Sequence, residues 1–230
     1  MIKYKILLYR WLVAFSLLLA STFGAAQQFY PMSHNTPMMS TQGELQLGLL
    51  FCSPKLEFQS AYAITNRLGV MVNGGYSVIS AETNMKAQRS AEVGAFYFIP
   101  LKNDHVFELS AGGGYGKIPY WNSTLSIDDQ TSIVSLFVQP AYGFLLKSKR
   151  QDYMCNLSLR YSSVTINDIN RQFLEPGFMM KSCFKALDLA IYIGYANDIK
   201  KTKTDVWQNI PITFGIGIQF YFGRNTEEND

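Results

Sequence analysis

The sequence predicts an all-β protein: a closed, antiparallel, up-and-down β-barrel that crosses a membrane, with ten strands, eight being the alternative count. Three observations predict it. Residues 210–222 place Ile210, Ile212, Phe214, Ile216, Ile218, Phe220 and Phe222 on one face, with Pro211, Thr213, Gly215, Gly217, Gln219 and Tyr221 on the other. Successive strand side chains point to opposite faces, so this is a period of two, and its uninterrupted large apolar face suits lipid as solvent. The same alternation recurs upstream. The chain also opens with a secretion signal.

The elements follow in order. In 43–51, Leu45, Leu47 and Leu49 alternate with Glu44, Gln46 and Gly48. In 55–65, Leu56, Phe58, Tyr62 and Ile64 oppose Glu57, Gln59, Ala61 and Ala63. Residues 68–80 set Leu68, Val70, Val72, Tyr76 and Val78 against Gly69, Met71, Asn73, Gly75 and Ser77. The fourth strand, 88–99, is less clean, because Phe96 and Phe98 share a phase with Glu92. In 105–117, Phe107, Leu109, Ala111 and Tyr115 face away from Glu108, Ser110 and three glycines. Strand six, 131–146, carries Val134, Leu136, Val138, Tyr142 and Phe144 on one side. Strand seven, 151–165, alternates Tyr153, Cys155, Leu157, Leu159 and Tyr161 with Asn156, Ser158, Arg160 and Ser162. Strand eight, 172–183, contains Pro176, which cannot donate to a ladder, but Leu174, Phe178 and Met180 still oppose Glu175 and Lys181. Strand nine, 185–197, turns Leu187, Leu189, Ile191, Ile193 and Tyr195 away from Asp188, Ala190 and Gly194. Residues 210–222 are the tenth.

The connections alternate in length. Those at 65–67, 100–104, 147–150 and 183–185 are short, and those at 81–87, 118–130, 166–171 and 199–208 are longer; 52–54 is the exception, short on the long side. Short periplasmic turns and longer outer loops are the asymmetry of outer-membrane barrels, and an even strand count returns both ends of the sheet to one side. In hydrocarbon an open sheet edge leaves backbone groups unbonded at several kcal/mol each, so a spanning sheet must close. The competing architecture is a soluble exported lipocalin-like barrel. It would need an outer face rich in Lys and Glu, whereas the polar phase here is full of Gly, Ala and Ser with scattered charges.

The domain plan is a signal peptide at 1–26, an extended lead-in at 27–42, the barrel at 43–222 and a polar tail at 223–230. Lys3, Lys5 and Arg10 form a positive start, Leu12 to Ala20 an apolar stretch, and Gly24, Ala25 and Ala26 a small-residue cleavage site. The apolar stretch falls short of the ~20 residues of a spanning helix. The chain has 20 Lys and Arg against 17 Asp and Glu; taking away the three basic residues of the signal leaves seventeen of each. The basic excess therefore belongs to export, and no nucleic-acid partner follows from it. Cys52, Cys155 and Cys183 cannot all pair within one chain, and their spacing matches no zinc site.

The chain resembles a family of small, porin-like outer-membrane β-barrel domain proteins of uncharacterised role. The stretches that carry the resemblance are Gly43-Glu44, Ala61-Tyr62-Ala63-Ile64-Thr65-Asn66, Gly69-Val70-Met71-Val72-Asn73-Gly74, the run from Phe107 to Lys117, Val138-Gln139-Pro140-Ala141-Tyr142-Gly143, Phe173-Leu174-Glu175-Pro176 and the last strand. The resemblance implies the outer membrane of a Gram-negative-type bacterium. It also implies lipid and the barrel-assembly machinery as partners, the latter reading a terminal aromatic residue, here Phe222. It names an architecture and no reaction.

Candidate chemistry is sparse. A Ser-His-Asp constellation needs a His near a Ser. His34 lies in the lead-in and His105 beside a short turn, away from the outer rim, so both are expected as surface-satisfied residues and the protein as a non-enzyme without metal or cofactor. The glycine-rich run 112–117 lies inside a strand pattern and lacks the strand-to-helix setting of a phosphate loop. The lumen phase is more informative: Glu44, Glu57, Glu92, Glu108, Glu175 and Asp188 share it with Arg160 and Lys181. Charges at membrane depth pair with one another or line water, so these predict an internal ion-pair network plugging a narrow barrel, or else a cation-preferring path. Tyr120, Trp121 and Trp207 are loop residues that could meet a glycan or a partner. The functional expectation is a monomeric barrel with a structural or surface-interaction role through its outer loops; the alternatives are a narrow channel and the soluble ligand binder.

Overall fold

Each alternating segment must place one face against like surface, and ten of them do so by pairing in a ring. A computed structural model describes residues 27–29, 32–52, 55–79, 86–122, 127–148, 151–166, 168–184, 187–199, 207–209 and 212–223; at 27–29, 78–79, 86, 119–122, 127–129 and 207–209 the description is of backbone alone. The predicted signal peptide and most of the polar tail lie outside these residues. The barrel strands are β1 (Leu45–Cys52), β2 (Lys55–Ala63), β3 (Leu68–Ile79), β4 (Lys86–Pro100), β5 (His105–Asn122), β6 (Ile127–Leu146), β7 (Asp152–Ile166), β8 (Ile169–Cys183), β9 (Leu187–Tyr195) and β10 (Ile212–Phe222). Each pairs antiparallel with the next, and β10 returns to β1 through Ile218↔Leu49 and its neighbours. The sheet is closed at ten strands.

The apolar phase is outside. Leu136 is 65 % exposed, Val93 61 %, Leu49 55 % and Ile216 53 %, and the apolar residues of β2, β3, β7 and β9 join the same outward belt. The opposite phase is buried inside: Gln46, Glu57, Gln59, Asn73, Glu108, Gln139, Asn156 and Gln219 are each at most 2 % exposed. This inversion excludes the soluble lipocalin-like alternative, which required the apolar face within.

Several details differ from the sequence reading. The segments expected as loops at 118–130 and 166–171 are mostly strand: β5 and β6 stay paired out to Asn122↔Ile127, and β7 and β8 to Ile166↔Ile169. Their residues are polar and β-branched enough to continue a hairpin beyond the apolar belt, so the alternation fades while the ladder persists. Pro176 is tolerated because it falls just past the β8–β9 ladder, which ends at Gly177↔Gly194, and pairing resumes only at Leu174↔Asn197. Its missing N–H therefore removes no rung on that side. At the other end, the β4–β5 turn holds Asn103 and Asp104 at φ of 59° and 60°, the left-handed conformation those two residue types tolerate.

The lead-in is the largest departure. An extended entry to β1 is expected; instead residues 32–39 run inside the barrel, all buried, with Met38 at a φ of 53°. Ahead of them, Gln27–Phe29 pairs in parallel with Trp207–Asn209, in the connection before β10.

Candidate functional site: a lumen filled from within

An antiparallel barrel of this height leaves inward side chains with no water unless they find each other or something threaded between them. Here they find residues 32–39. From the end carrying the tall β5–β6 hairpin, Met32 accepts a contact from Ser90 Oγ, and Ser33 donates its backbone N–H to Glu57 Oε1 (2.9 Å) beside Cys52. Midway, Asn35 Nδ2 donates to Asn73 Oδ1 (2.8 Å), while Gln139 Nε2 donates to the Asn35 carbonyl (3.0 Å) and Gln46 Nε2 to Asn35 Oδ1 (3.3 Å). Lys181 Nζ donates to the Thr36 carbonyl and to Tyr221 Oη, both at 2.9 Å. Near the turn end Met38 N–H reaches Glu108 Oε2 (3.0 Å), Ser40 bonds Glu44, and Gln42 N–H meets Asn66 Oδ1 (2.9 Å). The wall thus reads the backbone of the segment: carboxylates take its N–H groups, and an amide and an ammonium supply its carbonyls.

Glycine lets the two surfaces touch. A Cβ on Gly177 would lie 2.6 Å from His34 Nδ1, and one on Gly143 would lie 2.7 Å from Met38 Sδ. Both positions sit on the inward phase, where any larger side chain would push the segment off the wall.

The inward charges fall into separate groups. Arg160 crosses the lumen from β7 to Glu92 on β4 as a two-pronged pair, Nη2 to Oε1 at 2.5 Å and Nη1 to Oε2 at 3.2 Å. Its Nε lies 3.9 Å from Glu175 Oε1, and Ser162 Oγ donates to the same oxygen at 2.5 Å. The guanidinium also stacks over Phe137, 4.0 Å from the ring centre. Glu44, Glu57 and Glu108 instead receive the lead-in, so the single network expected from the sequence is divided by the threaded segment. Asp188 is buried near Cys183, whose thiol lies 3.8 Å away. The sequence reading missed Lys55, which pairs with Glu57, and the Arg171–Asp198 pair, which packs over Phe173.

His34 is a correction. Expected at the surface, it is 1 % exposed, its Nδ1 2.7 Å from Ser158 Oγ and its ring tilted on Tyr192. Its partners come from β7 and β9, which nothing local in the lead-in reveals. His105, by contrast, bonds Tyr142 Oη at 2.6 Å on the outer surface near a turn. Tyr120 and Trp121 fall within β5, opposite Asp129 and Asp128, rather than in a loop, and Trp207 pairs with Gln27; their side chains lie outside the described ones. None of the three cysteines forms a disulfide. Among the described residues no group of three His, Cys, Asp or Glu is placed to hold a metal ion.

Three apolar clusters complete the filling, one of them Leu50, Cys52, Met179, Ala190 and Tyr192. At the turn end Met38 and Met39 pack with Met71, Phe96, Phe98 and Phe137, which explains the phase of the two β4 phenylalanines. Toward the opposite rim Ile118, Ile133, Val164, Ile166 and Phe173 pack together. A small cavity remains above the segment, lined by Met32, Gln88, Ser90, Glu92, Arg160 and Glu175 among others.

A closed antiparallel sheet, apolar where it faces outward and polar where it faces in, defines a transmembrane β-barrel. No protein-family profile matches the chain, and no curated protein matches it significantly. Solved structures similar to it include the β domain of the Bordetella autotransporter BrkA, at 14 % identity and a TM-score of 0.47, covering 78 % of this chain and 75 % of that one. The N-terminal β-barrel domain of Pseudomonas aeruginosa OprF is similar at 11 % identity and a TM-score of 0.38, covering 78 % and 96 %. A loop-deleted form of OmpT, an outer membrane protein of Vibrio cholerae, is similar at 12 % identity and a TM-score of 0.24, covering 78 % and 97 %. At these scores the likeness is one of outline.

Proposed function

We propose that the protein is a closed barrel of the outer membrane of a Gram-negative-type bacterium, with a structural or surface-interaction role at its rims and no open passage through its middle. One observation carries this reading: residues 32–39 occupy the lumen along its length and are all buried. A narrow barrel already lies near the size that side chains fill, and a backbone threaded through it leaves no continuous water column. Lipid is the partner of the outward belt, and a monomer suffices because closure satisfies every strand edge.

The test is twofold. Membrane-extracted protein should migrate differently in detergent gels before and after boiling, as a closed barrel that resists cold detergent would. Reconstituted in planar bilayers, the heat-shifting protein should show no stable conductance steps. Steady, ohmic steps from the wild-type protein would reject the closed reading and favour the narrow channel.

A further inference from the structure

We infer that residues 32–39 carry the chain up through the barrel, so that the part amino-terminal to Met32 is presented at the face that carries the tall β5–β6 hairpin, opposite the face where the carboxyl-terminal tail leaves. In naming which surface is presented, the inference rests on the closed-barrel reading above.

Connectivity alone would place this segment elsewhere. With ten strands, the start of β1 and the end of β10 lie at the same end, that of the short turns. Gly43 N–H bonds the Ala63 carbonyl there, and Tyr62 lies level with Leu45. A lead-in with no lumen contacts would stay on that side.

The order of contacts says otherwise. Moving back from β1, Gln42 meets Asn66 in a short turn, Met38 meets Glu108, Asn35 meets Asn73 and Gln139, Ser33 meets Glu57 beside Cys52, and Met32 meets Ser90. The wall partners climb steadily toward the hairpin end. The eight residues 32–39 reach at most about 26 Å at ~3.3 Å each, close to the ~25 Å of an apolar belt. The segment is therefore long enough to traverse the barrel once and no more.

Strand pairing gives a second, independent observation. Gln27–Phe29 pairs in parallel with Trp207–Asn209. Residues 207–209 lead into β10, which descends from the hairpin end to the turn end. The pairing therefore holds 27–29 at the hairpin end, beside the start of β10. It also neighbours β5. Residues 27–29 and 207–209 thus form one composite patch at the hairpin end, made of the threaded segment and the β9–β10 connection.

The experiment uses the full chain with single cysteines in a Cys183→Ser background, Cys52 and Cys155 being buried. Gln28→Cys reports the inferred face, Thr124→Cys the β5–β6 connection and Asn225→Cys the tail, each probed on intact cells with a membrane-impermeant maleimide and again after permeabilising the outer membrane. Heat-shifted gels first confirm that each variant has folded. Q28C should label together with T124C, within about two-fold, and N225C under the opposite condition. Q28C labelling together with N225C, or in neither condition, would overturn the inference. Its failure is distinct from that of the underlying reading: if T124C labels only after permeabilisation, the assignment of the hairpin face to the cell exterior falls, while the match or mismatch of Q28C with T124C still decides the threading.

Discussion

The turn end of the lumen and the level of Arg160 are both sealed, by opposite means. At the turn end the seal is Met38 and Met39 against Phe96, Phe98 and Met71, contacts without direction that depend on volume and shape. Higher up it is Arg160 forked onto Glu92 with Glu175 behind, where each member is at most 4 % exposed. An apolar seal loses stability in proportion to the atoms removed from it. An ionic one behaves asymmetrically, because deleting one partner strands the rest without water. The lower seal should therefore degrade gradually, and the upper one should fail at a single residue.

Arg160→Ala is accordingly the substitution expected to do most. It would leave two buried carboxylates facing each other across the lumen, a loss of roughly 3–5 kcal/mol for a broken buried ion pair. Urea unfolding of the barrel in vesicles, followed by tryptophan fluorescence, measures it. Replacing the group together, Arg160→Met with Glu92→Gln and Glu175→Gln, should recover most of that loss, because the stranded charge is gone. A loss below ~1 kcal/mol for Arg160→Ala would mean that water reaches this level, and the contrast between the two seals would disappear.

Met39→Ala probes the lower seal at a fully buried side chain. A buried Met truncated to Ala costs about 2–4 kcal/mol through lost transfer free energy and the remaining cavity. Met39→Leu keeps the volume and should cost less than ~1.5 kcal/mol. The same unfolding assay separates them. Equal losses for Ala and Leu would show that Met39 is held by its shape or its sulfur rather than by volume, against a seal built on simple packing.

The ten strands were legible because a barrel in lipid writes its outer face directly into the alternation, as Ile212 to Phe222 shows without interruption. The threaded segment was not, since its residues meet wall residues far away in the chain, 145 positions for Thr36 with Lys181, and an irregular segment carries no period that marks it as buried. One trace was visible. Phe96 and Phe98 stand on the inward phase of β4, where two large rings need apolar cover, and the lead-in offers the Met38-Met39 pair. The inward charges were legible as a set but not in their pairing, because registry between distant strands decides that Glu92 meets Arg160 while Glu108 meets a backbone N–H. The extra length of β5 and β6 was hidden for a different reason: from Ile118 to Gln130 large apolar and polar residues do not alternate, so no period marks the ladder's continuation.

The smallest effect tests how the threaded segment is held at the lower seal. Glu108 accepts the Met38 N–H through Oε2, and its other oxygen, Oε1, has no hydrogen-bond partner among the described residues. Glu108→Gln preserves the shape and one acceptor oxygen but removes the charge. A hydrogen bond to a charged group is worth about 1.5–3 kcal/mol and a neutral one ~1, so the expected loss is about 1 kcal/mol. It should leave the barrel closed and heat-shifting, while amide exchange at Met38 speeds up relative to that at Ser33, whose N–H is held independently by Glu57. If exchange rises equally at both positions, the segment moves as one rigid piece. The two seals would then be coupled through its backbone, and the different chemistries at the two levels would protect a single cooperative unit.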